Sequence, residues 1–167
     1  MKREAKPESE EDFDFFTTVG DNLYPHQADA PTQEELTDMM NLFLNRKHIS
    51  QLPIYPVRGN HDCYFSGIDV LTNLSKSYPT WKMDNLYYEK EFNIGENGEK
   101  FSLLQIDSCF LLCETIGNGP SHRNKTLVLA SLDADSRGVY ESRCEGDQSF
   151  VKGGNEMMKW IDETLEK

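Results

Sequence analysis

Two short apolar runs, each ending in a glycine-bearing polar loop, constrain this chain more than any other feature. The loops are Val19-Gly20-Asp21-Asn22-Leu23-Tyr24 and Val57-Arg58-Gly59-Asn60-His61-Asp62. Each run reads as a strand, and a glycine at its end lets the backbone turn sharply so that the next side chains converge. What converges is carboxylate, phenol, amide oxygen and imidazole. The oxygens suit hard or trivalent cations, and imidazole suits iron and zinc. Ligand-bearing loops at strand ends, in a chain where strands alternate with helices, fit an α/β layered architecture.

The intervening sequence supports that reading. Residues 1–12 form a polar lead, and Phe13 to Val19 is a buried strand rich in aromatic and β-branched residues. Thr32 with Glu35 is a capping-box signature, followed by an apolar face of Leu36, Met39, Met40 and Phe43 that should end near Asn45. Pro53 to Val57 is the second strand, and a short helix fits Ile68 to Ser77. Leu86 to Ile94 and Phe101 to Asp107 form a hairpin around Gly95-Glu96-Asn97-Gly98. Residues 114–152, rich in Gly, Ser, Asn and Asp, read as a surface insertion. A last helix, Asn155 to Leu165, should turn Met157, Met158, Trp160, Ile161 and Leu165 toward a core. Residues 13–167 are thus expected to be one domain.

Charge and cysteine content limit the partners. A net charge of −12 argues against nucleic-acid and anionic-membrane partners, which need Lys/Arg clusters. It leaves a phosphate substrate open, because bound metal ions reverse the local field. No apolar run approaches a membrane span, and the first eleven residues lack the apolar segment of a signal peptide. Cys63, Cys109, Cys113 and Cys144 have no zinc-finger or Cys-x-x-Cys spacing. Buried free thiols are the expectation, with any pairing left open. Asn73-Leu74-Ser75 and Asn124-Lys125-Thr126 are glycosylation sequons of a kind that also arises by chance. His26, His48 and His122 are expected on exposed loops rather than on metal.

The paired loops resemble motifs of the metallophosphoesterases, and so point to a metal-assisted phosphoesterase. Tyr24, in the Gly-Asp-x-x-Tyr spacing, narrows the resemblance to the purple acid phosphatases. Tyr78, Trp81, Met83, Tyr87, Tyr88, Phe92 and the strand end at Asp107 narrow it further, to the small tartrate-resistant type. The resemblance spans about residues 13 to 113 and resumes near Gly154. It implies a sandwich of mixed β-sheets flanked by helices, here partial. It also implies hydrolysis of phosphomonoesters at a dinuclear centre of Fe(III) with a divalent Fe, Zn or Mn, with a metal-bound hydroxide as nucleophile.

Carried over residue by residue, Asp21 bridges the two ions, Tyr24 binds iron as phenolate and Asn60 gives its amide oxygen to the divalent metal. His61 donates to the phosphoryl oxygen or the leaving alkoxide, with Asp62 as the partner that orients its imidazole. An Asp-x-Gly strand end ahead of Gly-Asp-x-x-Tyr, and later Gly-His and Gly-His-x-His blocks, have no counterpart in this sequence. The resemblance therefore covers a front-central half with an incomplete ligand set, as a truncated gene model would, and predicts a polypeptide weakly active or inactive by itself. It suggests a secreted or lysosomal parent if the start is truncated. The alternative is a non-catalytic remnant or pseudoenzyme that keeps the fold. A phosphodiesterase or nucleotidase is a third reading, disfavoured because Tyr24 is unusual there.

Overall fold

The computed structural model describes residues 13–24, 32–47, 49–59, 61–63, 70–94, 97–113 and 134–167. Strands β1 (Phe16–Thr17) and β2 (Ile54–Tyr55) pair in parallel, with Phe16 opposite Ile54 and Thr17 opposite Tyr55. Parallel neighbours need a crossover, and helix α1 (Gln33–Leu44) lies between them in the chain. Helix α2 (Val70–Ser77) makes the next crossover and brings Trp81 beside Ile54 in a parallel bridge. There the Ile54 N–H donates to the Thr80 carbonyl at 2.8 Å and the Lys82 N–H to the Ile54 carbonyl at 2.8 Å. Both candidate loops consequently leave the carboxyl ends of adjacent parallel strands, the place where α/β sheets bind ligands.

Helix α1 starts where its capping box predicts. The Thr32 hydroxyl accepts the Glu35 N–H at 3.2 Å, and the Glu35 carboxylate accepts the Thr32 N–H at 2.7 Å. Leu36, Met39 and Met40 face inward onto Ile54, Leu71 and Trp81. Met40 and Ile54 are wholly buried, which contributes roughly 1.5–3 kcal/mol each.

The expected hairpin forms from β3 (Tyr88–Ile94) and β4 (Glu99–Gln105), antiparallel, with Phe92 opposite Phe101. It docks on the parallel pair through the Gln105 amide, which donates to Tyr55 O at 2.7 Å and to the Thr17 hydroxyl. The Tyr88 hydroxyl donates to Pro56 O at 2.7 Å, and Phe15 stacks on Phe92 at 4.5 Å between centroids.

A second apolar cluster collects the end of the chain. Helix α3 (Ala134–Tyr140) runs into a π-turn at Glu141–Gly146, and α4 spans Ser149–Leu165. Tyr140, Cys144, Phe150 and Met157 pack there with Phe110. Among the described residues no helix is long and apolar enough to cross a membrane.

The α/β class stands, with differences in detail. The first two strands are shorter than expected, because Phe13 and Val19 are exposed, Val19 at 94%, and backbone pairing is confined to two residues on each strand. Residues 134–152, read as part of a surface insertion, are largely helical, and Tyr140, Cys144 and Phe150 from that stretch are buried. Helix α4 begins at Ser149 rather than Asn155, running through Gly153 and Gly154 because the Phe110 ring lies against Gly153 where a Cβ would be. Met158 and Leu165 on that helix are exposed, not core.

The free-thiol expectation is overturned: Cys63 pairs with Cys109 and Cys113 with Cys144, with Cα–Cα separations of 6.1 and 5.4 Å. Sequence spacing could not show this, because each bridge joins elements that only the fold brings together. The polar lead 1–12, His26, His48, Asn60, His122 and the Asn124 sequon lie outside the described residues.

Candidate metal centre

The two loops interlock at their glycines. Gly20 has a φ of +100°, and a Cβ on it would collide with the Gly59 backbone, while a Cβ on Gly59 would collide with Asp21. Both motifs need glycine because the backbones pass in direct contact. Asp21 follows in the left-handed region at φ +51°, a conformation that a short carboxylate side chain tolerates.

That turn aims both Asp21 oxygens at the opposite motif and at its own loop. Oδ1 accepts the His61 backbone N–H at 3.0 Å. Oδ2 accepts the Tyr24 hydroxyl at 3.2 Å. The Tyr24 ring in turn lies 4.5 Å from the His61 imidazole, tilted by 40°. Three of the expected site residues, Asp21, Tyr24 and His61, are therefore brought together. Desolvation at the loop, followed by the Asp21 charge and hydrogen bond, pushes the Tyr24 phenol above its ordinary pKa, so it holds its proton against the carboxylate.

Asp62 sits beneath the loops, 2% exposed. Its Oδ2 accepts Gly59 N–H at 2.8 Å, Asn22 N–H at 3.1 Å and the Asn22 amide at 2.9 Å, while Oδ1 accepts Leu23 N–H at 3.0 Å. The Asn22 amide also donates to Val57 O at 2.7 Å. These bonds run to the two loops rather than to the imidazole that Asp62 was expected to orient. The carboxylate thus sets the position of His61 through the backbone. Burial pushes the Asp62 carboxyl up, against the donors from Gly59, Asn22 and Leu23 that pull it down.

A second layer was not legible in the motifs. The Arg58 guanidinium, buried, donates through Nε to Asp107 Oδ2 at 2.6 Å, reaches the same oxygen through a terminal nitrogen, and lies 5.5 Å from the Phe110 ring centroid. Asp107 Oδ1 accepts Cys109 N–H at 2.9 Å. Burial raises the Asp107 carboxyl, with Arg58 opposing it. The sequence marks Asp107 as a strand end and Arg58 as part of a motif, but only the fold pairs residues 49 positions apart.

Two of the donors are placed to share a metal ion. Asp21 Oδ2 and the Tyr24 oxygen converge at a separation that a shared proton now fills, and a hard cation could take that proton's place. They fit one ion as two of its ligands. Asp62 is committed to four N–H donors and Asp107 to Arg58. No cluster of three His, Cys, Asp or Glu side chains able to hold a metal occurs among the described residues.

A family model described as calcineurin-like phosphoesterase matches residues 2–151. No curated protein gives a match.

Proposed function

This chain belongs to the calcineurin-like phosphoesterase family, a family of metal-dependent phosphoester hydrolases that typically hold a dinuclear centre, and from that premise we propose a phosphomonoesterase of the purple acid phosphatase type. The observation that carries the subtype is the meeting of the Asp21 carboxylate and the Tyr24 phenol at 3.2 Å beside the His61 ring. A phenol in that place favours a trivalent ion, because its proton, held above the ordinary range, must be displaced by strong Lewis acidity. We assign Asp21 and Tyr24 to Fe(III), and Asp21 with Asn60 to a divalent Fe, Zn or Mn.

When bound, the metal pair supplies polarisation of the phosphoryl oxygens and acidification of water. The chain's own residues supply placement. Asp21 fixes the His61 backbone through its Oδ1 while presenting Oδ2 outward. His61, with its ring held on Tyr24, donates a proton to a phosphoryl oxygen or the leaving alkoxide. Asp62 holds both loops in register. The substrate is a phosphomonoester. The net charge of −12 supports neither a nucleic-acid nor a membrane partner. Two buried disulfides suit an oxidising compartment.

The test compares p-nitrophenyl phosphate with its bis-aryl diester, with and without added Fe(III) and Zn(II). With an incomplete ligand set, this polypeptide by itself is expected to give at most weak, metal-dependent turnover that prefers the monoester, lower still in H61A. Preference for the diester would move the chain to a phosphodiesterase type. Metal-independent or absent turnover would favour the non-catalytic reading.

A further inference from the structure

The His61 turn is fastened at both ends, by different means. His61-Asp62-Cys63 is a three-residue 3-10 turn. On its amino side the His61 N–H is held by Asp21 Oδ1 at 3.0 Å, and in its middle Asp62 is held by the loops. On its carboxyl side Cys63 is joined covalently to Cys109. Two residues beyond His61, then, the backbone passes into a cross-link.

Cys109 is itself held firmly. It lies in the 3-10 turn Ser108–Leu111, capped by Asp107, whose Oδ1 accepts the Cys109 N–H at 2.9 Å. The Asp107 N–H points at Met157 Sδ of α4 at 3.3 Å, and a Cβ on Gly154 would come within 2.9 Å of the Phe110 carbonyl. The 108–111 turn is therefore seated on the second apolar cluster. Arg58 pairs with Asp107 just ahead of the disulfide, and the Ser108 hydroxyl donates to Arg58 O at 3.4 Å. Sidechain and backbone ties thus connect residues 58–63 with residues 107–109, and the one nearest His61 along the chain on its carboxyl side is covalent.

We infer that the Cys63–Cys109 disulfide is a positioning element of the site, holding the His61 turn on the 108–111 turn so that the imidazole stays against Tyr24. Opening it leaves the turn held by the hydrogen bonds of Asp21 and Asp62 alone and frees its carboxyl end, which lets the turn rotate, loosens the His61 imidazole against the Tyr24 ring and weakens the hold on a phosphoryl group. The other disulfide, Cys113–Cys144, joins the 108–113 segment to the π-turn beyond α3 and is not bonded to any residue of the His61 turn. It serves as an internal control, with a comparable crosslinking effect on the unfolded chain but no predicted effect on the ring contact.

The inference rests on the phosphoesterase reading for its consequence but not for its geometry, so it is tested on the ring first. The Tyr24–His61 ring contact is followed by NMR in the wild-type protein, in C63A/C109A and in C113A/C144A, well below the melting temperature of each. Binding of inorganic phosphate is measured on the same samples with Zn(II) added. The expected result is loss of the Tyr24–His61 cross-peak in C63A/C109A alone, with about a tenfold or larger fall in phosphate affinity, the size typical when a supporting contact of a site is removed. An intact cross-peak in C63A/C109A, or equal loss in C113A/C144A, overturns the inference.

If C63A/C109A does not fold, the C113A/C144A protein, whose remaining disulfide is Cys63–Cys109, is reduced in place with dithiothreitol. Its two thiols close to a cyclic disulfide while Cys63 and Cys109 each gain one electron and one proton. His61 signals that move before the amides of the β3–β4 hairpin support the inference, and His61 signals that move only with them overturn it. Phosphate bound by no sample would count against the phosphoesterase reading, with the ring signals still deciding the role of the disulfide.

Discussion

Asp62 illustrates how much of the site is held by one side chain. Three donors converge on Oδ2 and one on Oδ1. Removing the acceptor leaves buried N–H groups without a partner, so D62A should lose roughly 2–5 kcal/mol of stability by urea denaturation. D62N should lose less, because the remaining oxygen can keep the triple contact while the new amide faces only the Leu23 N–H. Tyr24 gives a second prediction. Its phenol is raised by desolvation and then by Asp21, so D21N should lower its titration toward the ordinary value near ~10, as read by phenolate absorbance. A raised phenol favours the folded state below the unfolded pKa, and that contribution is lost as pH rises through the folded value. At this scale the sequence marks Asp21, Tyr24 and His61 as candidates by type and spacing, and the fold brings the three together. It was silent on Asn22 and Arg58, whose roles depend on partners remote in the chain.

Among the elements, the capping box and apolar face of α1 were legible because both are local, and α1 ends where Asn45 suggested. The hairpin was legible for the same reason. Helix α4 starts at Ser149, ahead of the expected Asn155, and the Phe110 ring lies against Gly153 where a Cβ would be. G153A should therefore destabilise by about 1–3 kcal/mol despite the helix propensity it gains, because the Cβ overlaps that ring. G138A lies in helix α3 with open space around the new Cβ and should not destabilise. The Arg58–Asp107 pair belongs to this scale too, joining the β2 loop to the end of β4. D107A strands a buried guanidinium and should cost roughly 3–5 kcal/mol, measured as a fall in the denaturation midpoint.

On the scale of the whole molecule, the described residues form two apolar clusters that meet beneath one pair of loops. The first, around Met40, Ile54 and Trp81, carries the parallel strands that present Asp21 and His61. The second, around Phe110, Phe150 and Met157, carries the turn that braces them. The α/β class was legible because periodicity and turn chemistry are local. The second cluster was not, because its residues come from segments whose composition reads as surface, and its disulfides link positions 46 and 31 apart. Removing either disulfide should cost roughly 2–5 kcal/mol of stability, measured by thermal denaturation. On the proposed function, Asp21 and Tyr24 together receive a hard trivalent cation. The most direct measurement is a titration with Fe(III) followed by visible absorption, in the wild-type protein, Y24F and D21N. An iron–phenolate charge-transfer band in the wild type that is lost in Y24F and weakened in D21N is the predicted result. Iron binding without that band, or a band that survives in Y24F, would contradict the account.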